Sequence, residues 1–279
     1  MDKEYRNEYE IRMFTLGRSG HSAISLWLAY LFEEPIYYFN NVHPFRDPFI
    51  HSSTTRNYRK TVIHTKIMSK HKCFVTYGSG GQKKYLSKVE KIREKNKKCI
   101  MYAYEDFDIK RLAEKPIVEE QWVGKSKNIY ELIVIRDIFN LTASRRKGKK
   151  VWTKKWYFDR WNDHAREALG ETNYLTNKII INYNKWFSDI GYRKNIASTL
   201  SLKFSDKGLN SVQPYKRGSS FNQTKYDGRA QDMKVLERWK RCIDRPMYRY
   251  KMKRHKTSLK LAKKLFPQVY KSFMKEFKK

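Results

Sequence analysis

Residues 11–32 read IRMFTLGRSGHSAISLWLAYLF, and this stretch decides the fold class. Ile11 to Leu16 is a short apolar run of the kind that forms a buried strand. Gly17-Arg18-Ser19-Gly20-His21-Ser22 follows as a compact turn, and Ala23 to Phe32 has the apolar spacing of a helix, with Ser22 as the expected N-cap. Strand, glycine-bearing turn and helix in that order form an anion site: glycine lets backbone N–H groups approach the anion, and the helix N-terminus adds partial positive charge. Arg18 adds a cation, and Ser19 and Ser22 add hydroxyl donors. The turn is not a Walker A loop, because no lysine follows Gly20.

Outward from this unit, strands and helices alternate. Lys72 to Tyr77, Cys99 to Ala103, Glu131 to Ile135 (ELIVI) and Lys178 to Asn182 (KIIIN) read as strands. Lys84 to Asn96, Ile138 to Arg146, Trp156 to Leu169 (stopped by Gly170), Tyr192 to Leu202 and Ala230 to Ile243 read as helices. Asn40 to Thr65 and Gln213 to Thr224 are polar and irregular. The alternation predicts an α/β fold with a central parallel sheet flanked by helices in three layers. The expected organisation is a main domain over 1–243 and a basic helical C-terminal extension over 244–279 packed on it. In that extension Leu259, Ala262, Phe266, Val269, Phe273 and Phe277 form an apolar stripe, and Pro267 is expected to divide it into two helices.

Apolar residues make up 40% of the 279, enough to bury a core at this length despite a formal charge of +33. Such a field favours polyanionic partners: nucleic acid, acidic glycans, phosphorylated ligands or an anionic membrane surface. Two basic regions carry it, 145–155, where cations interleave with Trp152, Trp156 and Tyr157, and 240–279, with fifteen Lys/Arg against two acidic residues. Three cysteines without ligand spacing point away from a metal site or a disulfide framework and toward a reducing compartment. No apolar stretch is long enough to span a bilayer, and the N-terminus lacks a signal-peptide core, so a soluble cytoplasmic protein is expected.

Two more motifs complete the pattern. Ile135-Arg136-Asp137 closes the ELIVI strand, and Ser144 lies eight residues beyond Arg136, about two turns along the next helix. Tyr215-Lys216-Arg217-Gly218-Ser219-Ser220-Phe221 is a basic loop ahead of the segment Val235-Leu236-Glu237-Arg238-Trp239. Together and in this order, the three motifs resemble the PAPS-dependent sulfotransferase superfamily, in a divergent carbohydrate-type form found in microbes and viruses; PAPS is 3′-phosphoadenosine 5′-phosphosulfate. The likeness runs over about residues 10–243.

The resemblance implies a P-loop-like fold and assigns roles. Arg18, Ser19, Gly20, His21 and Ser22 are similar to the family's phosphosulfate loop, with His21 where Thr is usual. Arg136 and Ser144 match the pair that grips the 3′-phosphate, while Arg217, Gly218 and Ser219 resemble the loop that completes the nucleotide site. Ile179 to Tyr183 resembles a later core strand that often ends in Tyr-Glu, but Asn184 replaces the Glu. PAPS would serve as co-substrate with no metal, the acceptor being a glycan or another hydroxyl or amine compound. Arg18 would stabilise charge on the departing phosphate, and Glu105, His43 and His21 are the candidates for the base. Two other readings stay open at this point: a non-catalytic polyanion- or nucleic-acid-binding protein on the same fold, and a P-loop kinase-like phosphotransferase, against which the missing lysine weighs.

Overall fold

A computed structural model describes residues 5–34, 36–43, 45, 47–51, 64–66, 74–76, 93–114, 120–145, 155–212, 219 and 221–278. Its centre is a seven-stranded sheet in the order β4-β3-β2-β5-β1-β6-β7. The strands are β1 (Asn7–Thr15), β2 (Ile36–Asn40), β3 (His64–Lys66), β4 (Phe74–Thr76), β5 (Lys97–Glu105), β6 (Ser126–Ile135) and β7 (Lys178–Asn182). Five of them, β2, β5, β1, β6 and β7, run parallel, while β3 and β4 add an antiparallel edge. The expected α/β sheet is therefore present.

Side-chain alternation along the central strands defines the layers. Tyr9, Ile11 and Met13 of β1, Cys99, Met101 and Ala103 of β5, and Leu132 and Val134 of β6 meet on one face. There they pack against α1 (His21–Ala29) through Ile24, Trp27 and Leu28. The same cluster takes in α7 (Tyr183–Ser188) through Tyr183 and Trp186, and α8 (Ile190–Thr199) through Ile196 and Ala197. The alternate residues Phe14, Ile100, Tyr102, Tyr104 and Ile133 line the opposite face. It is covered by α2 (Pro48–His51), α3 (Ile109–Glu114) and α4 (Glu120–Val123) through Phe49, Ile109, Leu112 and Val123. Burial on both faces accounts for the continuous apolar runs of the central strands.

A second core joins α5 (Ile138–Arg145) and α6 (Lys155–Ala168) to the C-terminal segment. That segment forms α9 (Pro246–Arg254), α10 (Lys256–Leu265) and α11 (Pro267–Phe277), three helices where two were expected. Phe273 stacks on Phe139 at 4.1 Å, and the Tyr248 hydroxyl donates to the Phe139 carbonyl at 3.0 Å. Ser258 bonds Asn162 at 2.7 Å. No helix among the described residues is long and apolar enough to cross a membrane.

Several local expectations need correction. Gly20, not Ser22, occupies the N-cap of α1, with no side-chain cap bond. The helix expected over 192–202 is present as α8, and the shorter α7 precedes it; the two are divided at Asp189, which caps α8 by accepting from the Tyr192 N–H at 3.1 Å. Residues 230–243 form two short 3₁₀ turns, Ala230–Asp232 and Val235–Arg241, instead of one helix. The reason is that Asn140 holds this segment by its backbone: its amide donates to the Leu236 carbonyl at 2.8 Å, and its Oδ1 accepts from the Trp239 N–H at 3.2 Å. Most of the helix expected over 84–96 lies outside the described residues.

Candidate functional site

In the sheet order β1 and β6 are neighbours, and the connections that leave them run in opposite directions, from β1 toward β2 and from β6 toward β7. The carboxyl ends beside such a reversal of strand order leave a crevice in which doubly wound folds bind ligands. Pairing Thr15 with Glu105 and Ile135 with Asn182 brings the Gly17 turn, Glu105, Arg136 and Tyr183 to that one edge. There they line a single cleft of about 230 Å³.

The turn is tightly built. The Ser19 N–H donates to the Leu16 carbonyl at 2.9 Å, and Arg18 and Gly20 both lie in the left-handed region, with φ of 74° and 94°. Glycine is required at position 20 for a second reason: a Cβ there would stand 2.1 Å from Cε2 of Tyr183. Ser19 Oγ is buried and has no hydrogen-bond partner among the described residues, an orphaned hydroxyl in the middle of the turn. Beneath the turn, the Gly17 N–H donates to Asp106 Oδ1 at 2.9 Å. Arg145 clamps Asp106 with two bonds of 2.8 and 2.6 Å and donates to the Gly17 carbonyl at 3.2 Å. Burial pushes the Asp106 carboxyl up, but the Arg145 bonds outweigh it and hold the group below the usual carboxylate range. The guanidinium of Arg145 also lies 4.0 Å from the Tyr157 ring centroid. Arg145 and Tyr157 thus belong to an internal support; of the basic stretch over 145–155, residues 146–154 lie outside the described ones.

Across the cleft, Arg136 is 2% exposed. Its Nη1 donates to the Arg18 carbonyl at 3.2 Å and to Ser144 Oγ at 3.4 Å, and its Nη2 donates to the Val235 carbonyl. The guanidinium sits 4.8 Å from the centroid of the Tyr183 ring, and its Nε has no partner among the described residues. Arg238, which sequence reasoning did not assign to the site, comes in from the second 3₁₀ turn and is 8% exposed. It donates to Ser144 Oγ at 3.1 Å and to Ser219 Oγ at 2.8 Å. Ser144 Oγ therefore accepts from two buried guanidinium groups while donating to the Asn140 carbonyl at 2.7 Å. Neither arginine has a carboxylate partner among the described residues. Burial, and then the nearby charge of Arg136, push the Arg238 guanidinium down to about 9, so it stays cationic at neutral pH against an opposing field.

The other expected residues separate into groups. His21 lies in the cleft wall, its Nε2 3.2 Å from Asn40 Oδ1, which also accepts from the Tyr38 hydroxyl at 3.0 Å. Ser22 is beside it, and Arg18 is exposed at the rim. Glu105 lines the cleft half-buried, with no hydrogen bond or ion pair among the described residues. His43 does not join them. It lines a separate hollow with Phe45, Phe107 and Asp108, its ring edge-on to Phe107 at 5.4 Å. The chain turns away after β2, so His43 leaves the cleft that Asn40 lines. Arg217 and Gly218 lie outside the described residues, while Ser219 reaches the cleft through Arg238. Asn184 donates to Asp137 Oδ2 at 2.9 Å and so braces the start of α5 from within. The signal for Arg238 was an arginine set between Val235 and Trp239, both buried.

One wall of the cleft, made by Tyr183, Trp186, Phe187, Leu209, Val212 and Met233, is apolar. The arrangement suits a ligand with a flat ring for that wall and anionic groups for the turn and the two arginines. No group of three or more His, Cys, Asp or Glu able to hold a metal occurs among the described residues.

No family model and no curated protein matches the chain. Among solved structures it is similar to the sulfotransferase domain of the olefin synthase of Synechococcus PCC 7002, with a TM-score of 0.45 and 13% identity, over 85% of this chain and 89% of that one. It is also similar to mouse sulfotransferase SULT7A1 complexed with PAP, with a TM-score of 0.46 and 12% identity, over 97% of this chain and 90% of that one. Both of these structural neighbours are sulfotransferases.

Proposed function

We propose that this protein is a sulfotransferase that moves a sulfuryl group from PAPS to a hydroxyl or amine of a carbohydrate-like acceptor. The observation that carries the reading is the pair Arg136 and Arg238, two buried guanidinium groups joined through Ser144 Oγ with no carboxylate partner among the described residues. Buried charge is costly unless paired, and like charges side by side are costlier, so the missing partner is an anion. A nucleotide 3′-phosphate fits that role. The Gly17–Ser22 turn, open to the same cleft, fits the 5′ end. Its orphaned Ser19 hydroxyl supports an anion held by backbone and hydroxyl donors. The carbohydrate class of acceptor rests on the motif likeness.

PAPS supplies a sulfuryl group already activated by its bond to a phosphate. The chain's own residues have three tasks. Arg136, Arg238, Ser144 and Ser219 orient the nucleotide by its 3′ end. Arg18 and the donors of the turn stabilise negative charge at the 5′ end, where preorganised donors lower the barrier most. Glu105, a carboxyl group in the cationic cleft without a partner among the described residues, takes the acceptor proton on its carboxylate.

The test is a thermal-shift titration with 3′-phosphoadenosine 5′-phosphate (PAP), followed by a transfer assay against a panel of glycans. PAP raises the melting temperature, and Arg136→Ala or Ser144→Ala removes most of the shift. Glu105→Gln keeps the shift and loses transfer. Absence of a shift in the unaltered protein, or a shift that survives both cleft substitutions, overturns the reading.

A further inference from the structure

The three C-terminal helices carry most of the local charge excess, and the cleft makes no use of it. Helix α10 turns Ser258, Leu261 and Ala262 into the core. Lys256, Lys260 and Lys263 are exposed, and at 100° per residue they form a stripe on the opposite side of the helix. In α11 Phe273 is buried, with Val269, Tyr270, Met274 and Phe277 packed beside it. Lys271, Lys275 and Lys278 are exposed on the other side. Both stripes have the spacing i, i+4, i+7, so each holds three cations along about 10 Å of helix. None of the six has an ion-pair partner among the described residues; Lys264, beside them, pairs with Glu171 at 2.6 Å. Six ammonium groups without an ion-pair partner among the described residues, on two neighbouring helices, repel one another at little benefit to the fold, yet they present regular rows of cations as an anion-binding face.

We propose that this face docks a linear anionic polysaccharide, sulfated or uronic-acid-rich, whether or not the cleft transfers sulfuryl groups. Three observations favour that partner. The apolar sides of both helices are used up in the core, which leaves little to insert into a membrane. Tyr250 is the exposed large aromatic ring of these helices, and Arg254 and Lys251 already lie over it, so no platform for stacking bases is present. The stripes are lysine, a point charge, and lack arginine's fork for bidentate phosphate contacts.

The experiment compares three full-length proteins on heparin as the probe, by titration at several salt concentrations. In the first variant Lys256, Lys260, Lys263, Lys271, Lys275 and Lys278 are changed to Gln. In the second, six exposed lysines elsewhere (127, 185, 194, 203, 207 and 225) are changed to Gln, for the same loss of net charge. The stripe variant is expected to bind heparin on the order of a hundredfold more weakly, with a flatter salt dependence. The control variant is expected to stay within about threefold of the unaltered protein, the scatter usual for exposed charges. Equal losses in the two variants, or no loss in either, overturn the proposal. So does tighter binding to a DNA duplex, or to vesicles rich in phosphatidylserine, than to heparin at equal salt. Melting temperature and the PAP response are read in all three proteins. They report on folding and on the cleft, so failure of this proposal and failure of the sulfotransferase reading give different results.

Discussion

Arg145 and Arg238 are both largely buried, both arise near the carboxyl edge of the sheet, and both stack on an aromatic ring, yet their environments differ in kind. Arg145 has Asp106 as a bidentate partner, and although burial opposes its charge, the Asp106 bonds raise its affinity for the proton. Among the described residues Arg238 has the hydroxyls of Ser144 and Ser219 as its hydrogen-bond partners and lies beside Arg136, and its affinity for the proton falls. One guanidinium is neutralised within the fold, where it props the Gly17 turn from below. The other is left in deficit at the wall of a cleft. A buried cation with its counter-ion is a structural part, whereas a buried cation without one marks the place where a ligand completes the charge balance.

That contrast can be broken most forcefully at Asp106. Asp106→Ala leaves Arg145 uncompensated and is expected to cost about 3 kcal/mol of stability in a urea titration, the low end for a broken buried pair because Asp106 is partly exposed. A loss below about 1 kcal/mol would show that Arg145 is no support.

Acid pH acts on the same buried support. Burial pushes the His164 imidazole down to about 4, and its charge senses Asp106. Between pH 6.5 and about 4 the unfolded chain takes up a proton at this residue and the folded chain does not. Stability is therefore fully present above 6.5 and declines as pH falls through that window. The loss should reach about 3 kcal/mol, and His164→Gln should flatten the slope. An unchanged slope in the variant would assign the acid sensitivity to other groups.

At Arg238 the expected effect on folding is the smallest and the effect on binding is large. Arg238→Met exchanges an unneutralised cation for an apolar chain of similar length, so the free protein should keep its stability within about 1 kcal/mol. Calorimetry with PAP should show affinity reduced by roughly 30-fold or more, the cost of removing one side of a buried charge contact. Destabilisation comparable to that of Asp106→Ala would mean that Arg238 is neutralised within the fold after all.

The amino-acid sequence was enough to determine the strand, turn and helix over 11–32, the ELIVI and KIIIN strands and the parallel sheet. Local periodicity and the conformational needs of glycine act over a few residues and can be read along the chain. It also singled out the turn and Arg136 as candidate anion-binding residues, from residue type, position relative to a strand end and the order of the three motifs. What only the tertiary structure decided depends on residues far apart in the chain. Arg238 meets Ser144 and Arg136 because Asn140 holds the backbone of the 235–241 segment. His43 leaves the cleft while Asn40, three residues before it, stays. Arg145, one residue after Ser144, becomes a support because Asp106, just past the end of β5, reaches it. Charge balance in a protein interior is a sum over neighbours in space, and no window of sequence contains that sum.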